Sequence, residues 1–172
     1  MAAKISQWSS MEAAVQGRRS RSPEPATDLA GRLNAVLSDA FTLFLKTRNF
    51  HWHMNRGHFR DHHFLLEEQA YSLYAMTDSI AEYVRKTGGS PLRSVGHITW
   101  IQIEDNDAEH VDPIDMFAEL CEDNQELAAR LRDLQQIVAE QRDVASGSLI
   151  ESWIAQTERR IWFLFESSRT VD

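Results

Sequence analysis

The sequence has few of the residues that build turns, disulfides and membrane spans. A single cysteine, Cys121, excludes an intrachain disulfide and any zinc or iron–sulfur site made from several cysteines of this chain. Only 7 glycines and 4 prolines are present, too few for the many turns of an all-β sandwich or barrel. There is no apolar run near the roughly 20 residues of a membrane span, and no secretory signal pattern. We therefore expect a cytoplasmic protein that makes no membrane contact.

Charge is unevenly distributed along the chain. The 172 residues include 18 Lys plus Arg and 26 Asp plus Glu, a net charge of −8. The first 26 residues are rich in small and polar residues, show no apolar periodicity and carry a net charge of about +2. Their cluster of Arg18, Arg19 and Arg21 is the only feature that suggests nucleic acid. We predict a mobile basic tail over 1–26 and one domain over 27–172.

Apolar residues then recur at helical steps of three and four. The pattern predicts long amphipathic helices over 27–54, 58–87, 113–143 and 148–168. The first would be capped by Thr27 and the third by Asp112 before Pro113, and a break is predicted at Ala145–Ser146–Gly147. A short helix near 94–103 would lie in the long connection between the second and third helices. The sequence thus predicts an all-α protein built as a four-helix bundle.

Histidines and carboxylates mark one face of the second helix. Measured around the helix axis from His63, Glu67 lies at about 40°, Asp78 at about 60° and Glu82 at about 100°. Glu67 and Asp78 are nevertheless about 16 Å apart along the axis, too far for one metal ion to bridge. An antiparallel second helix across a two-fold axis would bring the two halves together, giving two equal sites per dimer.

His51, near the end of the first helix, could complete the nitrogen side of this site. Two imidazoles and three carboxylates suit Fe(II), with Mn and Zn as competitors. The alternative for each carboxylate is an ordinary solvated helix face. The zinc-protease motif HEXXH, the paired Glu-x-x-His motifs of an intrachain di-iron bundle and a Gly-rich phosphate loop are all absent from the sequence.

These residues carry a specific resemblance to a known family. Residues 49–89, NFHWHMNRGHFRDHHFLLEEQAYSLYAMTDSIAEYVRKTGG, and residues 158–169, ERRIWFLFESSR, resemble the Dps family of mini-ferritins. The family pattern has His-Trp, a His twelve residues later, an acid four later, and Asp and Glu beyond it. It is matched here by His51, His63, Glu67, Asp78 and Glu82.

The resemblance implies a ferritin-like bundle that assembles into a dodecamer around an iron store. It implies that Fe(II) is oxidised, preferably by hydrogen peroxide, at ferroxidase centres on two-fold interfaces. His51, His63 and Glu67 would be ligands from one subunit, and Asp78 and Glu82 from its partner. It also implies protection of DNA, and in many members non-specific DNA binding, which would place the protein at the nucleoid.

The sequence departs from the family pattern at several positions. Glu67 stands where Asp is common, and Arg56–Gly57 replaces the usual Gly-Pro. His53, His58 and His62 are additional histidines, which we expect to lie exposed on the helices, with a second metal at His58 and His62 as an open alternative. Trp52 would lie beside the centre, either packing at the interface or taking up stray oxidising equivalents.

Two other functions stay open at this point. The protein could act chiefly by compacting DNA through its basic tail, although a shell of twelve chains at −8 each would repel DNA. It could also be a helical-bundle interaction protein without catalysis.

Overall fold

The computed structural model describes residues 29–55, 58–98 and 103–169, which form five helices. The helices are α1 (Leu29–His53), α2 (Phe59–Lys86), α3 (Val95–Ile98), α4 (Pro113–Glu140) and α5 (Val144–Ser168). Helix α1 packs along α2, α4 packs along α5, and α1 also contacts α4. The predicted all-α four-helix bundle is confirmed. The predicted tail, and Thr27 as a cap, lie outside the described residues.

The short helix α3 lies in the connection between α2 and α4 and contacts α1. This confirms a short helix at that place, although residues 99–102 of the predicted span are not described. Within the described ranges, none of the helices is long and apolar enough to cross a membrane.

Leucine-rich faces of the four long helices meet in one core, and Trp153 is the largest side chain in it. The indole of Trp153 is 2% exposed, and its Nε1 donates a hydrogen bond of 3.2 Å to the Ser79 hydroxyl of α2. Its ring also contacts that of Tyr83 edge-on, with centroids 6.0 Å apart. These contacts hold α5 against α2 along one side of the bundle.

Local sequence explains most helix ends. Asp112 caps α4 as predicted, because its carboxylate accepts a hydrogen bond of 3.2 Å from the Ile114 amide. Helix α2 ends before Gly88, whose φ of +83° is the left-handed conformation that glycine adopts without strain. A Cβ on the following Gly89 would lie 2.7 Å from the Ala30 Cβ, so the chain can pass this close to α1 only as glycine.

The predicted break between the last two helices is wrong. Ala145, Ser146 and Gly147 lie in the first turn of α5, and the chain turns instead at Gln141–Asp143, where Arg142 has a φ of +57°. The reason is the cap: the Asp143 carboxylate accepts hydrogen bonds from the amide and the hydroxyl of Ser146. Capping by Asp143 therefore outweighs the low helix propensity of Ser146 and Gly147.

A buried ion network ties α1 to α4. The Lys46 ammonium is 2% exposed and lies 2.8 Å from both the Glu119 and the Asp123 carboxylates. Burial lowers the pKa of Lys46, but hydrogen bonds and charge from the two acids outweigh that effect, so the pKa is raised above 10.5. Burial raises the pKa of Asp123 against the opposing effect of Lys46. The pKa of Lys46 is thus raised by its two acidic partners, whereas that of Asp123 is raised mainly by burial.

Candidate metal centre

His51 of α1 and His63 of α2 form a close pair where the two helices meet. Their rings stack with centroids 3.7 Å apart and planes 23° from parallel. The Nδ1 of His51 lies 3.0 Å from the His63 carbonyl oxygen, and the Nδ1 of His63 lies 3.1 Å from the His51 carbonyl oxygen. A carbonyl oxygen only accepts, so both Nδ1 atoms carry the proton. Both Nε2 atoms of the neutral rings are then left with a lone pair that can bind a metal.

The surroundings of His51 favour neutral imidazole. Burial lowers the pKa of His51, which is 5% exposed, while its hydrogen bond to the His63 backbone and the charge of Glu67 oppose that shift. The Phe59 ring stacks on the outer side of His63 with centroids 5.0 Å apart. Glu67 is half-buried one turn beyond His63 on α2. The two imidazoles thus lie together, with the Glu67 carboxylate one turn away on α2.

Asp78 and Glu82 do not join this group within one chain. Both are exposed, one turn apart on α2, and Asp78 lies about 16 Å along the helix from Glu67. Across the described ranges, no three His, Cys, Asp or Glu side chains lie close enough to hold a metal ion. One chain therefore presents two partial ligand sets.

The same face of α2 exposes large aromatic side chains. Phe64, Tyr71 and Tyr74 are 53%, 65% and 58% exposed. Around the helix axis, all three lie within the sector of about 100° that runs from His63 to Glu82. We call this sector, which carries His63, Glu67, Asp78 and Glu82, the ligand stripe. On α1, Trp52 is 63% exposed, with the Arg48 guanidinium carbon 5.6 Å from its ring centre. An apolar surface of this kind, interleaved with acids, is typical of a protein–protein interface.

The additional histidines divide into two kinds. His53 and His58 are exposed, as predicted; His53 bonds the Asn49 carbonyl at 2.8 Å through Nδ1, and His58 has a φ of +56° before α2. The prediction that His62 lies exposed is wrong. Its Nδ1 is buried and has no hydrogen-bond partner among the residues that the structure describes, and its ring contacts that of Phe117 edge-on, with centroids 4.7 Å apart.

Helix geometry explains why His62 turns inward. It lies only about 20° around the α2 axis from the buried Leu73, so it is on the core side of the helix. Gln69 lies about 20° from His62 in the other direction and is buried for the same reason, although sequence analysis did not single it out. Applying the helical period to polar as well as apolar residues would have identified both.

Comparisons with known proteins identify the family of the fold. Residues 30–168 match the family model of the ferritin-like domain. The chain is 30% identical over 134 residues to a low temperature-induced protein of Nostoc sp. (strain PCC 7120), covering 77% of this chain and 75% of that protein. It is 26% identical over 133 residues to a DNA protection during starvation protein of Helicobacter pylori, covering 77% and 92% of the two chains.

Solved structures show the same fold. DpsC from Streptomyces coelicolor superposes with a TM-score of 0.80 at 24% identity, over 84% of this chain and 85% of that one. Dps from Thermosynechococcus elongatus superposes with a TM-score of 0.79 at 21% identity, over 84% and 92%. The chain therefore belongs to the ferritin-like domain family.

Proposed function

We propose that the protein is an iron-storing, iron-detoxifying ferroxidase. It oxidises Fe(II) with hydrogen peroxide at centres shared between two subunits, and a dodecameric shell stores the ferric product. The observation that carries the proposal is the His51–His63 pair, whose two Nε2 atoms are both left free for a metal. Relatives named DNA protection during starvation proteins, and a Vibrio cholerae Dps protein described among ferritin-like diiron-carboxylate proteins, support it.

The donor set suits iron. Imidazole nitrogen and carboxylate oxygen, with no thiolate, bind Fe(II) well, and Mn and Zn are the competitors. The carbonyl bonds to both Nδ1 atoms fix tautomer and ring orientation, as outer-shell hydrogen bonds do in metalloproteins. The side chains that would bind Fe(II) from one chain are His51, His63 and Glu67.

A second copy of the chain would supply the remaining ligands. Asp78 and Glu82 are exposed in the single chain, which is expected of residues that reach across an interface. An antiparallel α2 from a two-fold partner would set its Asp78 and Glu82 opposite His63 and Glu67, and symmetry would make a second, equal site. The exposed Phe64, Tyr71 and Tyr74 would be buried in the same contact.

Iron is the substrate in the proposed reaction. Two Fe(II) each give one electron, and hydrogen peroxide accepts both as its O–O bond breaks, so two Fe(III) and, with two protons, two water molecules result. The protein contributes binding and orientation. Its anionic carboxylates stabilise the higher charge of the ferric ion more than that of the ferrous ion, which favours oxidation.

The test is peroxide-dependent oxidation of Fe(II) by His51→Ala and His63→Ala variants. We expect the initial rate to fall at least about tenfold, while the native mass stays near the roughly 240 kDa expected for twelve chains of 19.8 kDa. His53→Ala is the matched control, because His53 is exposed and bonds only its own helix. A wild-type rate in both variants at an unchanged mass would refute the proposed centre.

A further inference from the structure

A pocket lies between α2 and α5, on the opposite side of α2 from the ligand stripe. It has a volume of about 200 Å³ and its polar and charged lining residues are Glu68, Gln69, Ser72, Gln156, Arg159 and Arg160. Of the α2 residues that line the pocket, Glu68 lies nearest to the ligand stripe, about 40° around the helix axis beyond Glu82. The other α2 residues that line it lie farther away. The pocket is therefore separate from the proposed ferroxidase centre.

Arg160 is a buried cation at this pocket. It is 3% exposed, and its guanidinium donates to Asn124 Oδ1 at 2.8 Å, Ser72 Oγ at 3.1 Å and Thr157 Oγ1 at 2.8 Å. All of these acceptors are neutral, and among the described residues no carboxylate forms an ion pair with Arg160. Burial lowers the pKa of Arg160 to about 10, so the side chain stays charged at neutral pH. A buried charge without a counterion is costly.

Gln69 is the second unusual side chain in the pocket. It is 4% exposed, and both its Nε2 and its Oε1 are buried and have no hydrogen-bond partner within the described part of the chain. Exchanging the two amide atoms would not change this result, since neither has a partner. Because an unpaired buried polar group costs free energy, the amide and the guanidinium together point to a polar, negatively charged ligand.

We propose that this pocket binds a small oxyanion, and that inorganic phosphate is the best fit. The Arg160 guanidinium has five N–H groups. Among the described residues, Nε donates one hydrogen bond, Nη1 donates one and Nη2 donates two, so one N–H on Nη1, beside Ser72, is left. That N–H and the Gln69 amide N–H would bind phosphate oxygens. The protonated oxygen of hydrogen phosphate would in turn donate to Gln69 Oε1, which sulfate cannot do at neutral pH.

One cation and one carboxylate line the exposed part of the pocket. Arg159 pairs there with Glu68 at 3.5 Å, and because both side chains are exposed, this ion pair is weak and Arg159 can turn toward an anion. Water is the competing occupant, since the volume of about 200 Å³ corresponds to roughly seven liquid water molecules. Binding measurements separate the two occupants because water gives no saturable signal.

The experiment measures binding of radiolabelled inorganic phosphate to the iron-free full-length protein by equilibrium dialysis. We expect saturable binding of about one phosphate per chain, with sulfate competing at least about tenfold more weakly. Gln69→Leu should weaken phosphate binding at least about tenfold, because it removes both amide partners at similar volume. Gln136→Leu, at an exposed glutamine of α4, is the matched control and should bind as the wild type does.

Arg160→Met provides a second variant and should abolish binding if it folds with wild-type helix content. If it does not fold, Gln69→Leu decides the result alone. Absence of saturable binding by the wild type, or wild-type affinity in Gln69→Leu, overturns the proposal and leaves water as the occupant. Because no iron is used, the result is independent of the proposed ferroxidase.

Discussion

His51 and His63 orient each other through their backbones: each imidazole Nδ1 lies within 3.1 Å of the other residue's carbonyl oxygen. His51 lies in the last turn of α1 and His63 in the second turn of α2, so the connection between the helices also sets the ring geometry. If the proposed centre is correct, binding a metal through Nε2 would leave both carbonyl bonds intact, and the pair would be oriented before any iron arrives.

Mixing two inactive variants should restore activity if each centre spans two chains. Asp78→Ala keeps the histidine half and His63→Ala keeps the Asp78–Glu82 half, so a mixed dimer has one complete site and one doubly defective site. Random pairing makes half of all dimers mixed, and we expect about one quarter of the wild-type Fe(II) oxidation rate. The variants are co-expressed with different tags and purified through both.

Two copies of the same variant carrying different tags are the control and should show no recovery. If the doubly tagged assemblies of Asp78→Ala and His63→Ala stay as inactive as either variant alone, the centre is not shared as proposed.

Lys46→Met should destabilise the subunit by about 3–5 kcal/mol, because it leaves Glu119 and Asp123 close together without their cation. The measurement is denaturant unfolding at a fixed subunit concentration. Lys86→Met, at an exposed position at the end of α2, is the control and should have little effect.

The effect of Lys46 should depend on pH in one direction. The folded-state pKa of Lys46 is raised above 10.5, so its stabilising contribution is complete below that pH and is lost as the pH rises through the folded-state value. The stability difference between wild type and Lys46→Met should therefore shrink at strongly alkaline pH. A stability difference that grows at strongly alkaline pH would contradict the raised pKa of Lys46.

Asp143→Ala should lower the Tm, because Asp143 caps α5 through the amide and hydroxyl of Ser146. The side-chain hydrogen bond from Ser146 lowers the pKa of Asp143 below 3.8, so its contribution is present above that pH and is lost as the pH falls through the folded-state value. Thermal unfolding followed by circular dichroism at neutral and acid pH measures both effects.

Ser148→Ala is the control for the cap, since the sequence alone placed the start of this helix at Ser148. We expect it to leave the Tm nearly unchanged. A larger loss in Ser148→Ala than in Asp143→Ala would contradict the observed helix start.

Removal of residues 1–26 should weaken any DNA binding and reduce its dependence on salt. The tail carries the Arg18, Arg19 and Arg21 cluster, while the rest of the chain is acidic and repels the phosphate backbone. Gel-shift titrations of the intact and shortened proteins at several salt concentrations test this. Equal affinity at every salt concentration would exclude a role for the tail.

Apolar periodicity was sufficient to predict the bundle. The described helices lie where the steps of three and four placed them, and Asp112–Pro113 begins α4 as predicted. The error at Ala145–Gly147 arose because Ser146 and Gly147 resemble a break locally, whereas a carboxylate three residues before Ser146 caps the helix there. Competition between a cap and a weak helix former depends on geometry that composition does not record.

The sequence alone determined the number of long helices and the types of candidate ligand, because periodicity and spacing within a helix are local properties. It also indicated that the two halves of the ligand stripe are too far apart to meet within one helix. Only the tertiary structure decided which imidazole nitrogens are free, because the carbonyls that bind Nδ1 come from the neighbouring helix. Only the tertiary structure brought Gln69 and Arg160 to one pocket, because packing of α2 against α5 joins residues that are distant in the chain.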